Sequence, residues 1–283
     1  MTSQKANMEI NSPPQHGIGN MEIADSPYPP LNDYPGRRDY QSAMSSEEPY
    51  PTDDPTYVKG FEFSDESIRR GFIRKVYSLL SLQLIFSFGI VLLCTQHDGV
   101  KSFIQGNLWM FFIGFLLLLI TTIVMLCCES ALHKHPHNLI FLSFMTIGET
   151  ICISCMSTIY NSETVLIALG MTCLCCLSLT IFAIQTKIDF TKLGGALFVA
   201  LLMLVFVGII GSFIRSHLME LILAWISLIL FAIYLIHDTQ MIIGGKGKYQ
   251  MGPDEYILGT LSLYLDIINI FVDLLKIISS LKK

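Results

Sequence analysis

Seven long apolar stretches constrain the fold of this chain more than any other feature of its sequence. Each is close to the roughly 20 residues that a helix needs to cross about 30 Å of hydrocarbon. They cover residues 76–95, 108–128, 139–159, 164–184, 194–214, 218–243 and 255–278. Lipid offers no partners to free backbone groups, so runs of this length fold as helices. The sequence therefore predicts an all-α polytopic membrane protein, a bundle of seven transmembrane helices.

The residues before these stretches have a different composition. Residues 1–66 carry twelve acidic and four basic side chains, and nine of the eleven prolines lie between Pro13 and Pro55. Such a segment buries too little apolar surface to offset the entropy of ordering it. We therefore predict a disordered, acidic, Pro- and Tyr-containing cytosolic tail at 1–63 and a membrane domain at 64–283. Ser64, with acidic residues after it, is the predicted N-cap of the first helix.

Basic residues predict the orientation in the membrane. The N-terminal side of the bundle has nine of them in or beside its loops, and the opposite side has Lys101 and Arg215. Lysine and arginine accumulate in cytosolic loops, which places the N-terminus in the cytosol. Seven spans then put the C-terminus on the far side. Lys276, Lys282 and Lys283 oppose that arrangement, and a re-entrant last segment is the alternative.

Few charged residues lie inside the spans, and each costs about 2.5–3.5 kcal/mol at mid-membrane on insertion scales. Glu149 lies near the middle of the third stretch, Asp238 in the cytosolic third of the sixth, and Asp266 near the middle of the seventh. Asp266, Asn269 and Asp273 share one helical face. We expect this polar face to point into the bundle.

Asp238 and Asp266 are the strongest candidates for chemistry. The short loop between the last two stretches predicts that their helices are neighbours. Two carboxylates in a poorly solvated site cannot both ionise cheaply, so the pair is expected to share a proton and to sense pH. When deprotonated, it offers the oxygen ligands that Ca²⁺ prefers, for a transient metal site. The alternative is that each carboxyl is protonated and donates a hydrogen bond between helices.

Enzymatic activity has no candidate residues. The sequence contains no Ser-His-Asp order, no HExxH helix and no dinucleotide fingerprint. We expect no enzyme, no cofactor other than Ca²⁺ as a permeant ion, and no nucleic acid partner.

Five motifs resemble the transmembrane Bax-inhibitor-motif family. They are YLIHDTQ (234–240), PDEY (253–256), LYLDIINIF (263–271), RGFIRKVY (70–77) and QTKIDF (185–190). The last two resemble the family's Lifeguard branch, which includes glutamate-receptor-associated proteins. The resemblance covers about residues 64–283.

This resemblance implies a seven-helix fold with the last helix at its centre. It also implies a pH-sensitive Ca²⁺ leak across internal membranes, of the endoplasmic reticulum or Golgi, and suppression of apoptosis with apoptosis-regulating membrane proteins as partners. The family's paired aspartates match Asp238 and Asp266, and Glu149 fits an acidic position in the third helix of some relatives. Two features depart from the family: the second stretch lacks the arginine latch of some members, and His237 stands where tyrosine is common.

Two other functions are consistent with the same residues. A non-conducting scaffold would bind apoptosis regulators through the tail or loops. A proton-coupled cation exchanger would use the same carboxylates.

Removal of the tail tests the division of the chain. A protein starting at Ser64 should insert and leak Ca²⁺ like the full chain, because nothing in the tail resembles a pore element. Ca²⁺ flux into liposomes measures this. Loss of flux in a truncated protein that still folds would show that the helical bundle does not hold the whole site.

Overall fold

The computed structural model describes the backbone of residues 55–127, 137–214, 216–244 and 250–282. Side chains are described from Ser67 onwards. The predicted disorder of the tail therefore lies largely outside the described residues.

All of the described elements are helical, as the sequence predicts. The α-helices are α1 (Pro55–Gln96), α2 (Asp98–Gly106), α3 (Trp109–Cys127), α4 (His137–Ser157), α5 (Ser162–Gln185), α6 (Gly194–Ile214), α7 (His217–Ile243) and α8 (Tyr256–Leu281). Short 3-10 helices at Thr191–Leu193 and Pro253–Glu255 lead into α6 and α8. The seven predicted stretches correspond to α1 and α3–α8, with most ends within three residues.

The start of α1 differs from the prediction. The helix begins at Pro55 rather than Ser64, and it continues without a break into the first apolar stretch. Proline is favoured in the first turn of a helix, where its missing N–H has no partner to lose. The segment that begins at Pro55 and the first predicted span are thus one helix.

The number of membrane-crossing helices is lower than predicted when it is judged by length and composition. Among the described residues, five helices qualify: α1 from Ser67, α4, α5, α6 with its 3-10 turn, and α7. A sixth is obtained when α2 and α3, bent by 77°, are taken as one broken span. The count of seven is not confirmed.

Helix α8 lies at the centre of the bundle. It packs against α4, α5 and α7, and its Tyr264 and Phe271 are fully enclosed. The Phe88 ring of α1 meets the Phe271 ring edge-on, with 5.4 Å between centroids. By contrast, Leu197 and Gly211 are the only buried residues of α6, so α6 is a peripheral helix. The central position of the last helix, implied by the family resemblance, is confirmed.

The contacts at the two ends of α8 show that it traverses the bundle. At its start, the Tyr256 hydroxyl accepts a hydrogen bond of 2.7 Å from Asn138, the second residue of α4. At its end, Ser280 lies 3.5 Å from His217, the first residue of α7, and Lys282 pairs with Glu163 near the start of α5. The last segment is thus one continuous helix that runs antiparallel to α7.

Helices α3 and α4 cross closely at two glycines. A Cβ atom added to Gly148 would lie 3.0 Å from Cγ of Leu118 and 3.2 Å from the Gly114 carbonyl oxygen. Small residues at such crossings let membrane helices approach and gain packing contacts, which replace the hydrophobic drive available in water.

Gly148→Ala should therefore destabilise the bundle. We expect thermal melting in detergent to show a loss of about 1–3 kcal/mol, the usual cost of overpacking. Gly170→Ala in α5 is the control, because nothing lies within 4 Å of its added Cβ. That variant should be neutral or slightly stabilising, since alanine is the better helix former. Equal effects would show that the crossing is not tight.

Candidate cation site at the centre of the bundle

Asp238 of α7 and Asp266 of α8 lie together in the interior. Their relative exposures are 8% and 4%. The two carboxyls are close enough to interact electrostatically with each other. Both also interact electrostatically with Tyr234, which lies one turn before Asp238. The predicted neighbourhood of the last two long helices is thus confirmed, and it brings the two carboxyls to one place.

His237 is the immediate partner of Asp238. Its Nδ1 lies 2.6 Å from Asp238 Oδ1, and a proton on Nδ1 is donated to the carboxylate. The opposite ring nitrogen faces the start of α6, where a Cβ added to Gly194 would lie 3.3 Å from Nε2. Sequence reasoning noted His237 as a departure from the family pattern and did not place it in the site.

Asp266 has an unsatisfied acceptor. Its Oδ2 is buried and has no hydrogen-bond partner among the described residues. Nor does any described lysine or arginine form an ion pair with Asp238 or Asp266. A buried carboxylate without a partner is costly, so this oxygen favours a proton or a bound cation.

The other two predicted site residues lie elsewhere. Glu149 of α4 is half-buried, and its carboxyl interacts electrostatically with Cys152 and Tyr264. Asn269 donates from Nδ2 to the carbonyl of Leu265 in its own helix, at 2.8 Å. No contact of either residue with the aspartate pair is found within the described part of the chain.

Comparison with known proteins decides the family. Residues 69–283 match the family described as "Inhibitor of apoptosis-promoting Bax1". The chain belongs to the Bax-inhibitor family. It is 30% identical to human protein lifeguard 3 over 89% of this chain and 81% of that protein, and 29% identical to the mouse protein over the same shares. It is 33% identical to the Golgi anti-apoptotic protein of vaccinia virus (strain Lister), over 79% of this chain and 89% of the viral protein.

This Bax-inhibitor family member also contains a buried polar ladder that sequence reasoning missed. Ser87 of α1 lies 2.8 Å from the Thr150 hydroxyl of α4 and 2.8 Å from the Tyr264 hydroxyl of α8. One turn away, Gln83 donates to Thr146 at 2.6 Å. The sequence did contain a signal for this ladder: Gln83 and Ser87 are four residues apart, as are Thr146 and Thr150, so each pair lies on one face of its helix. The hydrogen bond from Ser87 holds α8 in position at Tyr264, two residues before Asp266.

Gln240 holds the loop between α5 and α6 beside the site. Its Oε1 accepts from the Phe190 backbone N–H at 2.8 Å, while its Nε2 donates to the Ile188 carbonyl at 2.9 Å. Two separate sequence motifs, YLIHDTQ and QTKIDF, thus meet in one set of hydrogen bonds. These hydrogen bonds hold α7 in position at Gln240, two residues after Asp238.

Arg69 fastens the loop between α7 and α8 to α1. The guanidinium donates to the Met251 carbonyl and to Gln250 Oε1, both at 2.7 Å. Gly244 caps the end of α7 with a φ of 72°. It lies against the Arg69 guanidinium, so any Cβ at this position would collide with that group. Arg69 is not the missing latch, because its described bonds go to the loop and not to the aspartates.

A resident metal site is not assembled in the described residues, where no group of three or more His, Cys, Asp or Glu side chains is placed to hold an ion. Two carboxyls supply fewer ligands than the six to eight oxygens of a protein Ca²⁺ site.

The ladder predicts coupling between Ser87 and Tyr264. Ser87→Ala and Tyr264→Phe should each destabilise the protein, and the double variant should cost about 0.5–1.5 kcal/mol less than their sum. Unfolding in detergent measures the cycle. Ser178→Ala, whose hydroxyl bonds within α5, is the control and should add to Tyr264→Phe. Additivity in both cycles would contradict the ladder.

Proposed function

We propose that this protein is a pH-sensitive Ca²⁺ leak of internal membranes that suppresses apoptosis. One observation carries the proposal. Asp238 of α7 and Asp266 of the central helix α8 are both buried and interact electrostatically. One Asp266 oxygen has no described hydrogen-bond partner, and no described Lys or Arg neutralises the pair. Such a pair exchanges a proton for a cation at the same oxygens.

The pair acts as a switch through its charge. A shared proton lets the carboxyls stay close and keeps α7 packed on α8. Deprotonation leaves two negative charges in a site of low dielectric constant, where their repulsion is strong. This repulsion favours a second packing of the two helices and opens an acidic path. Ca²⁺ then binds the freed oxygens transiently.

The cellular role follows from the relatives. The vaccinia virus protein is named as Golgi-located and anti-apoptotic. We propose an endoplasmic reticulum or Golgi location for this chain, with a cytosolic N-terminus and apoptosis-regulating membrane proteins as partners. We also propose that it has neither enzymatic activity nor a resident cofactor.

Ca²⁺ flux against pH in liposomes containing the pure protein tests the switch. Asp238→Asn and Asp266→Asn should each flatten the pH dependence, because either change removes the mutual repulsion. The double variant should be little worse than either single one, since residues that act as a unit are non-additive. Glu149→Gln should lower flux or Ca²⁺ affinity and keep the pH response.

Three outcomes would contradict the proposal. Additive losses of thermal stability with an unchanged pH midpoint would mean that the carboxyls are structural hydrogen-bond donors. No flux from a folded protein would favour the scaffold, and flux that requires an opposing proton gradient would favour the exchanger. Asp98→Asn, at an exposed residue of α2, is the control for a general effect of charge.

A further inference from the structure

Polar side chains face each other along α7 and α8 well beyond the aspartate pair. The helices are antiparallel, so residues further back along α7 meet residues further forward along α8. Eleven residues before Asp238, Ser227 lies close enough to interact with the carboxyl of Asp273, which is seven residues after Asp266. At the end of the bundle, His217 reaches Ser280. We call this set, with Glu220 and Lys276, the polar seam.

Asp273 is the buried acid of the seam. Its exposure is 4%, and its Oδ2 has no hydrogen-bond partner among the described residues. Seven residues are two helical turns, which place Asp273 on the same face as Asp266 and about 10 Å along the axis. A helix that faced only lipid or apolar neighbours would gain nothing from a second buried carboxyl at this position.

Lys276 lies at the outer side of Asp273. Its Nζ is 4.0 Å from Asp273 Oδ1, at the limit of an ion pair, and 29% of its side chain is exposed. A small cavity of about 60 Å³ begins there, lined by Lys276, Glu220, His217, Ser280 and Tyr160 among others. The cavity has room for a few waters. Asp273 therefore separates the central pair from a polar opening at the end of the bundle.

We propose that Asp273 and Ser227 form a second cation site on the same path, and that the Lys276 ammonium competes with the permeant ion for it. This inference rests on the proposed Ca²⁺ leak and specifies its route. A hard, partly hydrated cation such as Ca²⁺ takes the carboxylate and hydroxyl oxygens, with water filling the remaining positions. Lys276 turns aside as the ion enters and returns when it leaves.

Flux of Ca²⁺ into liposomes, measured over a range of Ca²⁺ concentrations, tests the second site. Asp273→Asn should lower flux at sub-saturating Ca²⁺ by about five- to tenfold, since it removes a full charge at contact distance from the ion. Lys276→Gln should lower the half-saturating Ca²⁺ concentration. Glu163→Gln is the control: this acid lies near the same end but is 79% exposed, and its loss should change little.

Ca²⁺-dependent thermal stabilisation provides a readout that does not require conduction. Ca²⁺ should raise the melting temperature of the wild type more than that of Asp273→Asn. If Asp273→Asn fails to fold, the rise in melting temperature with Ca²⁺ is measured for Ser227→Ala and Lys276→Gln instead.

The outcomes separate this inference from the function on which it rests. Unchanged flux and unchanged Ca²⁺ stabilisation in Asp273→Asn would overturn the second site and leave the central pair standing. Equal losses of Ca²⁺ flux in Asp273→Asn and Glu163→Gln would show a general effect of negative charge and would also overturn the second site. A wild type that conducts no Ca²⁺ refutes the leak. In that case the site survives only if Ca²⁺ stabilisation still depends on Asp273.

Discussion

The cost of a charged or polar group in lipid determines how this bundle is arranged. Helix α8 carries two carboxyls, at Asp266 and Asp273, and each has an oxygen without a hydrogen-bond partner among the described residues. A helix with such a face is excluded from the lipid boundary, so the other helices enclose it. The most apolar helices, such as α6, remain outside, where their side chains face hydrocarbon. The central position of the last helix is thus a consequence of its polarity.

The proposed switch requires that the helices around the aspartate pair be held in a fixed register. The ladder from Ser87 fixes α8 just before Asp266, and Gln240 fixes α7 just after Asp238. Arg69 ties the loop between these helices to α1. No described lysine or arginine forms an ion pair with either aspartate of the pair. A rigid frame around an under-satisfied pair is the arrangement in which one proton or one cation can shift the packing of two helices.

Membership of the Bax-inhibitor family gives this arrangement its biological setting. Human lifeguard 3 and the vaccinia virus Golgi anti-apoptotic protein match most of the chain. The proposed leak links that setting to chemistry, because Ca²⁺ and protons bind the same carboxylate oxygens. His237 adds an imidazole to this group of titratable side chains, where the family resemblance led us to expect a tyrosine.

The sequence by itself determined the helices and the identity of the central acids. Apolar runs of spanning length predicted α1 and α3 to α8, because a backbone in lipid has no alternative to the helix. The motifs around Asp238 and Asp266 predicted the pair and the family. The sequence did not predict the bend between α2 and α3 or the start of α1 at Pro55, since local preferences at helix ends are weak and packing overrides them.

Only the tertiary structure decided which polar residues meet. Glu149 lies at a depth similar to that of Asp266, yet it interacts electrostatically with Cys152 and Tyr264. Asn269 shares a face with Asp266 but bonds to its own backbone. Depth and helical face can be counted along the chain, because both follow from a fixed rise and rotation per residue. The rotation of one helix against another cannot be counted in this way, because it is set by the packing of every helix around α8.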